Sequence, residues 1–223
     1  LHKIKTGHLV GEELEDFPAV GGSSPNSIVA TASFVYVSNG SNDSISVIDA
    51  ATGSRVRDID ISLDDRIRHL RGMIPFGLAL SPDEKYLYVA EAGINAVGVI
   101  RLSDEKTLGH IPTAWFPSKL SVSPDGKRLY VASAKGIGSG PNAGPDHAPG
   151  DPTGIGDLMR GYISIVDLED AASRLDELSA RVLRNNVKIV ARTEETRPKG
   201  HPVPAYRGAW KSPIKHVIYV TKE

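Results

Sequence analysis

Several groups of side chains in this chain have the types that metal, anion or acid–base chemistry requires. Glu12, Glu13, Glu15 and Asp16 place four carboxylates within five positions, a hard-oxygen set of the kind calcium takes. They lack an Asp-x-Asp-x-Asp spacing, so a solvated acidic loop is the simpler reading. Arg66, Arg68, His69 and Arg71 form a short basic cluster suited to an anion, but such clusters are usually solvated faces. Asp146, His147 and Asp151 could supply metal ligands, with a single imidazole and no motif spacing. Glu91, Asn95 and Lys135 offer an acid, an amide and an ammonium at separate turns. Gly136-x-Gly138-x-Gly140 has the glycines of a phosphate cradle but no following Gly-Lys-Ser/Thr. There is no Gly-x-Ser-x-Gly elbow, no His-Glu-x-x-His and no cysteine, so no catalytic residue is assigned.

Whether any of these groups meet depends on the elements that carry them, and those elements repeat. Pro75 to Ile100 reads as an apolar run, a Ser81-Pro82-Asp83 turn, an alternating strand over Tyr86 to Ala90, a turn at Gly93-Ile94-Asn95 and a third run. The same order returns at Pro117, through Ser123-Pro124-Asp125-Gly126 and Tyr130-Val131-Ala132, and a shorter copy starts at Pro25. Tyr88 and Tyr130 are 42 positions apart, the period of a four-stranded propeller blade. Outer strands are expected at 55–61 and 107–112. The fold expected is therefore all-β: a partial β-propeller of four-stranded antiparallel blades, about three of them, at 25–61, 75–112 and 115–168. Glu91, Asn95 and Lys135 then flank equivalent turns, on the face that also carries the insertion 136–156. With Asp146 and His147 from that insertion they form the candidate ligand-binding set.

The segments Tyr36-Val37-Ser38-Asn39, Ser81-Pro82-Asp83 with Tyr88-Val89-Ala90, and Ser123-Pro124-Asp125-Gly126 with Tyr130-Val131-Ala132 resemble YVTN-type β-propeller repeats. More narrowly, GGSSPN, IPFGLALSPD and WFPSKLSVSPDGK are similar to the propeller of bacterial two-domain proteins with an alkaline-phosphatase-like phosphoesterase domain. That resemblance implies a non-catalytic binding or scaffold propeller, exported to the periplasm or cell exterior. It also implies a divalent metal held by a second domain and no cofactor in this segment. Ser212 to Glu223 resembles the opening strand of that domain. The other function classes weighed are a lactonase-type propeller enzyme, with a metal near Glu91, Asp83 or His69 at the channel mouth, and a cell-surface adhesion repeat.

The remaining features set boundaries. The chain has 223 residues, with 26 Lys plus Arg against 27 Asp plus Glu, so no net field argues for nucleic acid. No apolar run reaches the ~18 residues of a membrane span. Seven glycines and four prolines among the 21 residues of 136–156 preclude a regular element there. Ala171, Leu175, Leu178 and Val182 predict an amphipathic helix over 170–186, ending a propeller segment that spans 1–192. Residues 193–213, with four prolines, read as a linker, and 214–223 as the start of the phosphoesterase-like domain. An arc of three blades leaves two sheet edges open, so further blades or a neighbouring chain are the expected partners.

Overall fold

The computed structural model describes residues 3–7, 22–68, 70–138, 160–187, 201–203 and 211–220, together with the backbone of 13–14 and 17–18. The chain divides into two units, Leu1–Leu183 and Arg184–Glu223.

The first unit is built from small antiparallel sheets. After a short hairpin of β1 (Glu13–Leu14) and β2 (Phe17–Pro18) come β3 (Pro25–Ala30), β4 (Phe34–Asn39), β5 (Ser44–Asp49) and β6 (Arg55–Asp60), which pair in sequence order. The second sheet repeats that order with β7 (Pro75–Leu80), β8 (Tyr86–Glu91), β9 (Ala96–Arg101) and β10 (Lys106–Pro112). The third has β11 (Pro117–Val122), β12 (Arg128–Ser133) and β13 (Tyr162–Asp167). This is a partial β-propeller. The third sheet has three strands rather than the expected four, because after β13 the chain turns into helices.

Registers make the repeats superimposable. Tyr36 faces Val47, Tyr88 faces Val99 and Tyr130 faces Ile165. Each Ser-Pro-Asp turn is closed the same way. The Ser81 hydroxyl donates to Asp83 at 2.7 Å and accepts from the Tyr86 amide at 3.0 Å. The Ser123 hydroxyl donates to Asp125 at 2.5 Å and accepts from the Arg128 amide at 2.9 Å. In the first sheet the motif is absent, and the Thr31 hydroxyl takes the Phe34 amide at 3.0 Å instead. Side-chain oxygens thus satisfy turn amides that the ladders cannot reach.

The first strands of the three sheets lie side by side. A Cβ at Gly77 of β7 would come 2.7 Å from the Ser118 carbonyl of β11, so only glycine permits that approach. Two apolar clusters occupy the spaces between sheets. Tyr36, Ile45, Leu87 and Ile100 belong to one, and Tyr88, Val97, Leu129 and Val131 to the other. Trp115 is 52% exposed and lies against Gly138, while its neighbour Phe116 packs edge-on to Phe76 at 5.8 Å.

The helical segment is broken in two: α1 (Leu168–Ser173) and α2 (Leu175–Asn186), separated at Arg174. Asp167 caps α1 by accepting from the amides of Glu169 and Asp170, each at 3.0 Å. α2 docks on the outer edge of the second sheet, where the Ser179 hydroxyl accepts from the His110 amide at 2.8 Å. Gly109 makes room for it, since a Cβ there would meet Ser179 Oγ at 2.4 Å. That contact covers part of an edge strand whose amides would otherwise stay open to pairing.

In the second unit, residues 211–220 form no described helix or strand, and Val217, Ile218, Tyr219 and Val220 are each more than 80% exposed. The Ser212 hydroxyl donates to the Pro202 carbonyl at 2.5 Å. No described helix is long and apolar enough to cross a membrane.

Candidate functional site: two ends of the blades

At the end where second strands turn into third strands, Glu91 closes β8 and is 1% exposed. Its Oε2 lies 2.7 Å from Nδ1 of His110 on β10, itself 4% exposed. The two strands are not neighbours; β9 runs between them, and its Gly98 faces both Val89 and His110. A Cβ at Gly98 would come 2.4 Å from Glu91 Oε1, so the missing side chain is what lets the carboxylate cross. Burial disfavours the imidazolium, but the Glu91 charge and hydrogen bond outweigh it. With a hydrogen bond to the Leu63 backbone, the His110 pKa is raised.

The same positions in the first sheet carry an amide, a hydroxyl and a carboxylate instead. Asn39 ends β4 as Glu91 ends β8; Ser46 stands for Gly98 and Asp58 for His110. Asn39 Nδ2 donates to Ser46 Oγ at 2.9 Å, and Ser46 Oγ donates to Asp58 Oδ1 at 2.6 Å. In the third sheet Ser133 occupies the position, 2% exposed. Each second strand therefore ends on a buried polar residue, a regularity that aligning the three strands would expose.

Asn95 holds φ +56° in the turn between β8 and β9, and its Oδ1 accepts from the Phe116 amide at 2.9 Å. Asp43 is its counterpart, at φ +50°, taking the amides of Gly72 and Ile74 at 2.7 and 2.9 Å. The residues so held, Ile74 and Phe116, are themselves left-handed and each precedes the proline that opens the next sheet. These turns latch one blade to the next. Lys135 Nζ sits 4.8 Å over the Phe116 ring. Asn95 and Lys135 thus meet at Phe116, while Glu91 points to His110. Asp146, His147 and Asp151 lie outside the described residues, as do His69 and the side chains of the 12–16 carboxylates. Of the basic cluster, Arg66 is bonded to Asp64 at 2.7 Å and Arg71 to the Asn42 carbonyl at 3.0 Å.

The opposite end, at the Ser-Pro-Asp turns, holds a cavity of about 650 Å³ between the second and third sheets and α1. Tyr88, Val99, Ile111 and Ala171 wall it, and Asp83, Asp125, Lys127 and Glu169 stand around it. Of the residues selected from the sequence, Asp83 lines it, while Glu91, Asn95 and Lys135 do not. Asp83 precedes β8 and Glu91 is its last residue, so the two lie at opposite ends of the strand and cannot share a ligand. Among the described residues no three His, Asp or Glu side chains gather to hold a metal ion.

Repeated four-stranded sheets latched side by side define this as a β-propeller protein. The family model for the methylamine dehydrogenase heavy chain matches residues 10–130, and the chain belongs to that family. No curated protein matches. Among solved structures the chain is similar to Kuenenia stuttgartiensis hydrazine synthase, with 23% identity, TM-score 0.48 and coverage of 74% of this chain and 37% of that one. A Bacteroides fragilis protein described as a 6-phosphogluconolactonase matches at 21% identity and TM-score 0.43, covering 53% and 34% of the two chains. Virginiamycin B lyase of Staphylococcus aureus matches at 16% identity and TM-score 0.39, covering 48% and 33%. The chain spans about a third of the length of each of these proteins.

Proposed function

We propose that this chain serves as a non-catalytic β-propeller segment whose terminal blade faces are completed by further blades or by a partner chain. The observation that carries the reading is the apolar surface at the two ends of the arc. On β13 Ile163 is 66% and Ile165 63% exposed, and on β3 Ile28 is 65% exposed, whereas the inner second sheet buries Leu87, Val89, Val97 and Ile100. Strand faces this apolar are normally covered by another sheet. The family name, a heavy chain, supports a role within an assembly.

Light scattering on the 223-residue chain tests this. The expected result is association at tens of micromolar beyond the 23.8 kDa monomer, reversed by Ile163→Lys with Ile165→Lys. A monomer at every concentration, unaffected by those substitutions, would overturn it.

The parent protein is proposed to be an exported bacterial protein with a phosphoesterase-like domain, on the resemblance of the repeats and of 212–223. The exposed run Val217 to Val220 supports a sheet to which it would add. Metal-dependent phosphoester hydrolysis by the protein from its native source is expected, and a metal-insensitive, inert preparation would remove that part of the reading.

A further inference from the structure

The two grooves between blades at the Ser-Pro-Asp end are built from equivalent residues but filled differently. In the first groove Arg57 of β6 lies 5.0 Å over the Phe34 ring, and its Nε donates to Glu105 at 2.6 Å. Arg57 pairs with Val47, and Gly109 pairs with Val99, so Gly109 holds the arginine's place in the second groove. Tyr86 likewise stands for Phe34. Leu102 and Leu168 donate to the equivalent carbonyls of Lys85 and Lys127, which places Ala171 where Glu105 would be. The second groove therefore lacks the cation and its acid. Leu175 and Ser179 of α2 take part of the room, and the 650 Å³ cavity is what remains, a volume typical of small-molecule sites.

Two features fit the cavity to a ligand. Tyr88 is 6% exposed and lines it, and its hydroxyl makes no hydrogen bond with the described residues. The hydroxyl oxygen is open to the cavity, so a polar group of a ligand there can pair with it. Burial, with smaller contributions from Tyr86 and Asp83, pushes Tyr88 up to about 12, so it stays a neutral donor. Around the mouth, Asp83, Asp125 and Glu169 outnumber Lys127, even with Lys85 bonded to Asp83 at 3.0 Å. Asp83 is held at about 2, chiefly by the Ser81 hydroxyl, and Asp125 is lowered by that of Ser123.

We propose that this cavity binds a small aromatic cation of the amidinium or guanidinium type. Its charge stacks on Tyr86 near the mouth carboxylates, as Arg57 does on Phe34, and its ring lies against Val99, Ile111 and Ala171 with a polar group at the Tyr88 hydroxyl. The ligand supplies the cation that Gly109 leaves out of the repeat. This site is independent of the blade-edge reading above.

The test is calorimetric titration of the 223-residue chain with 4-hydroxybenzamidine, its neutral isostere 4-hydroxybenzamide, the anion 4-hydroxybenzoate, and benzamidine. The amidine should bind at least tenfold more tightly than the amide, with the benzoate weakest. Tyr88→Phe should weaken 4-hydroxybenzamidine about fivefold, in line with one lost hydrogen bond, and leave benzamidine unchanged. Ala172→Trp, at an exposed lining position, should block all four, and circular dichroism confirms that it folds. No saturable binding, equal binding of anion and cation, or binding that survives Ala172→Trp would each overturn the proposal.

Discussion

Glu91 and His110 form a buried acid–imidazole pair at 2.7 Å that spans an intervening strand by passing over Gly98. The glutamate ranked from its sequence position among the candidate ligand contacts is thus engaged inside its own blade. Removing one member of a buried pair leaves the other uncompensated, which typically costs about 3–5 kcal/mol. Glu91→Ala is expected to lose stability on that scale in urea unfolding.

The pair also sets a pH dependence. A histidine whose folded pKa is raised contributes stability that is fully present below its unfolded value, about 6.5. That contribution is lost as pH rises through the folded pKa. Because His110 is raised, urea midpoints should fall on going from pH 6 through 8, and His110→Gln should flatten that part of the profile. An unchanged profile in the variant would assign the dependence to another group.

The interblade latches make a separable prediction. Asp43 accepts two amides of the next blade's entry and Asn95 one. Leaving such an amide without its acceptor costs roughly 1–3 kcal/mol. Asp43→Ala should therefore be the more destabilising of the two. Asn95→Gly, which keeps the left-handed backbone available, separates the lost acceptor from backbone strain: if it matches wild type, the side-chain bond to Phe116 contributes nothing.

The propeller was legible in the chain because a blade repeats its period in residue type: Pro75 and Pro117 open inner strands, Ser81 and Ser123 close turns, Tyr88 and Tyr130 fill the same packing position. What pattern did not show was the direction of individual polar side chains. Glu91 and Asn95 sit at turns, as expected, but each points at a protein partner. The carboxylate's route depends on an absent side chain at Gly98, and Asn95 is aimed by its own left-handed backbone. The cavity was hidden for a similar reason. It arises from what Gly109 lacks relative to Arg57, a difference visible only once the bulges in β6 and β10 fix the alignment of those outer strands. The helix break at Arg174 was equally silent, since Ala171, Leu175, Leu178 and Val182 keep helical spacing across it.

The filled groove can be weighed directly. Arg57 is 41% and Glu105 23% exposed in their side chains, so solvent screens their attraction, and exposed ion pairs contribute about 0.2–1 kcal/mol. The arginine's position over Phe34 adds roughly 0.5–1 kcal/mol. Arg57→Ala should accordingly cost more than Glu105→Ala, because it removes both the ion pair and the ring contact. A double-mutant cycle with Glu105 should recover a coupling under about 1 kcal/mol that shrinks in high salt. A second cycle, Arg57→Ala with Phe34→Leu, should return a coupling that salt changes less, because the ring carries no net charge to screen. If the first coupling is zero and the second persists, the groove is closed by stacking alone, and Glu105 is a bystander to it.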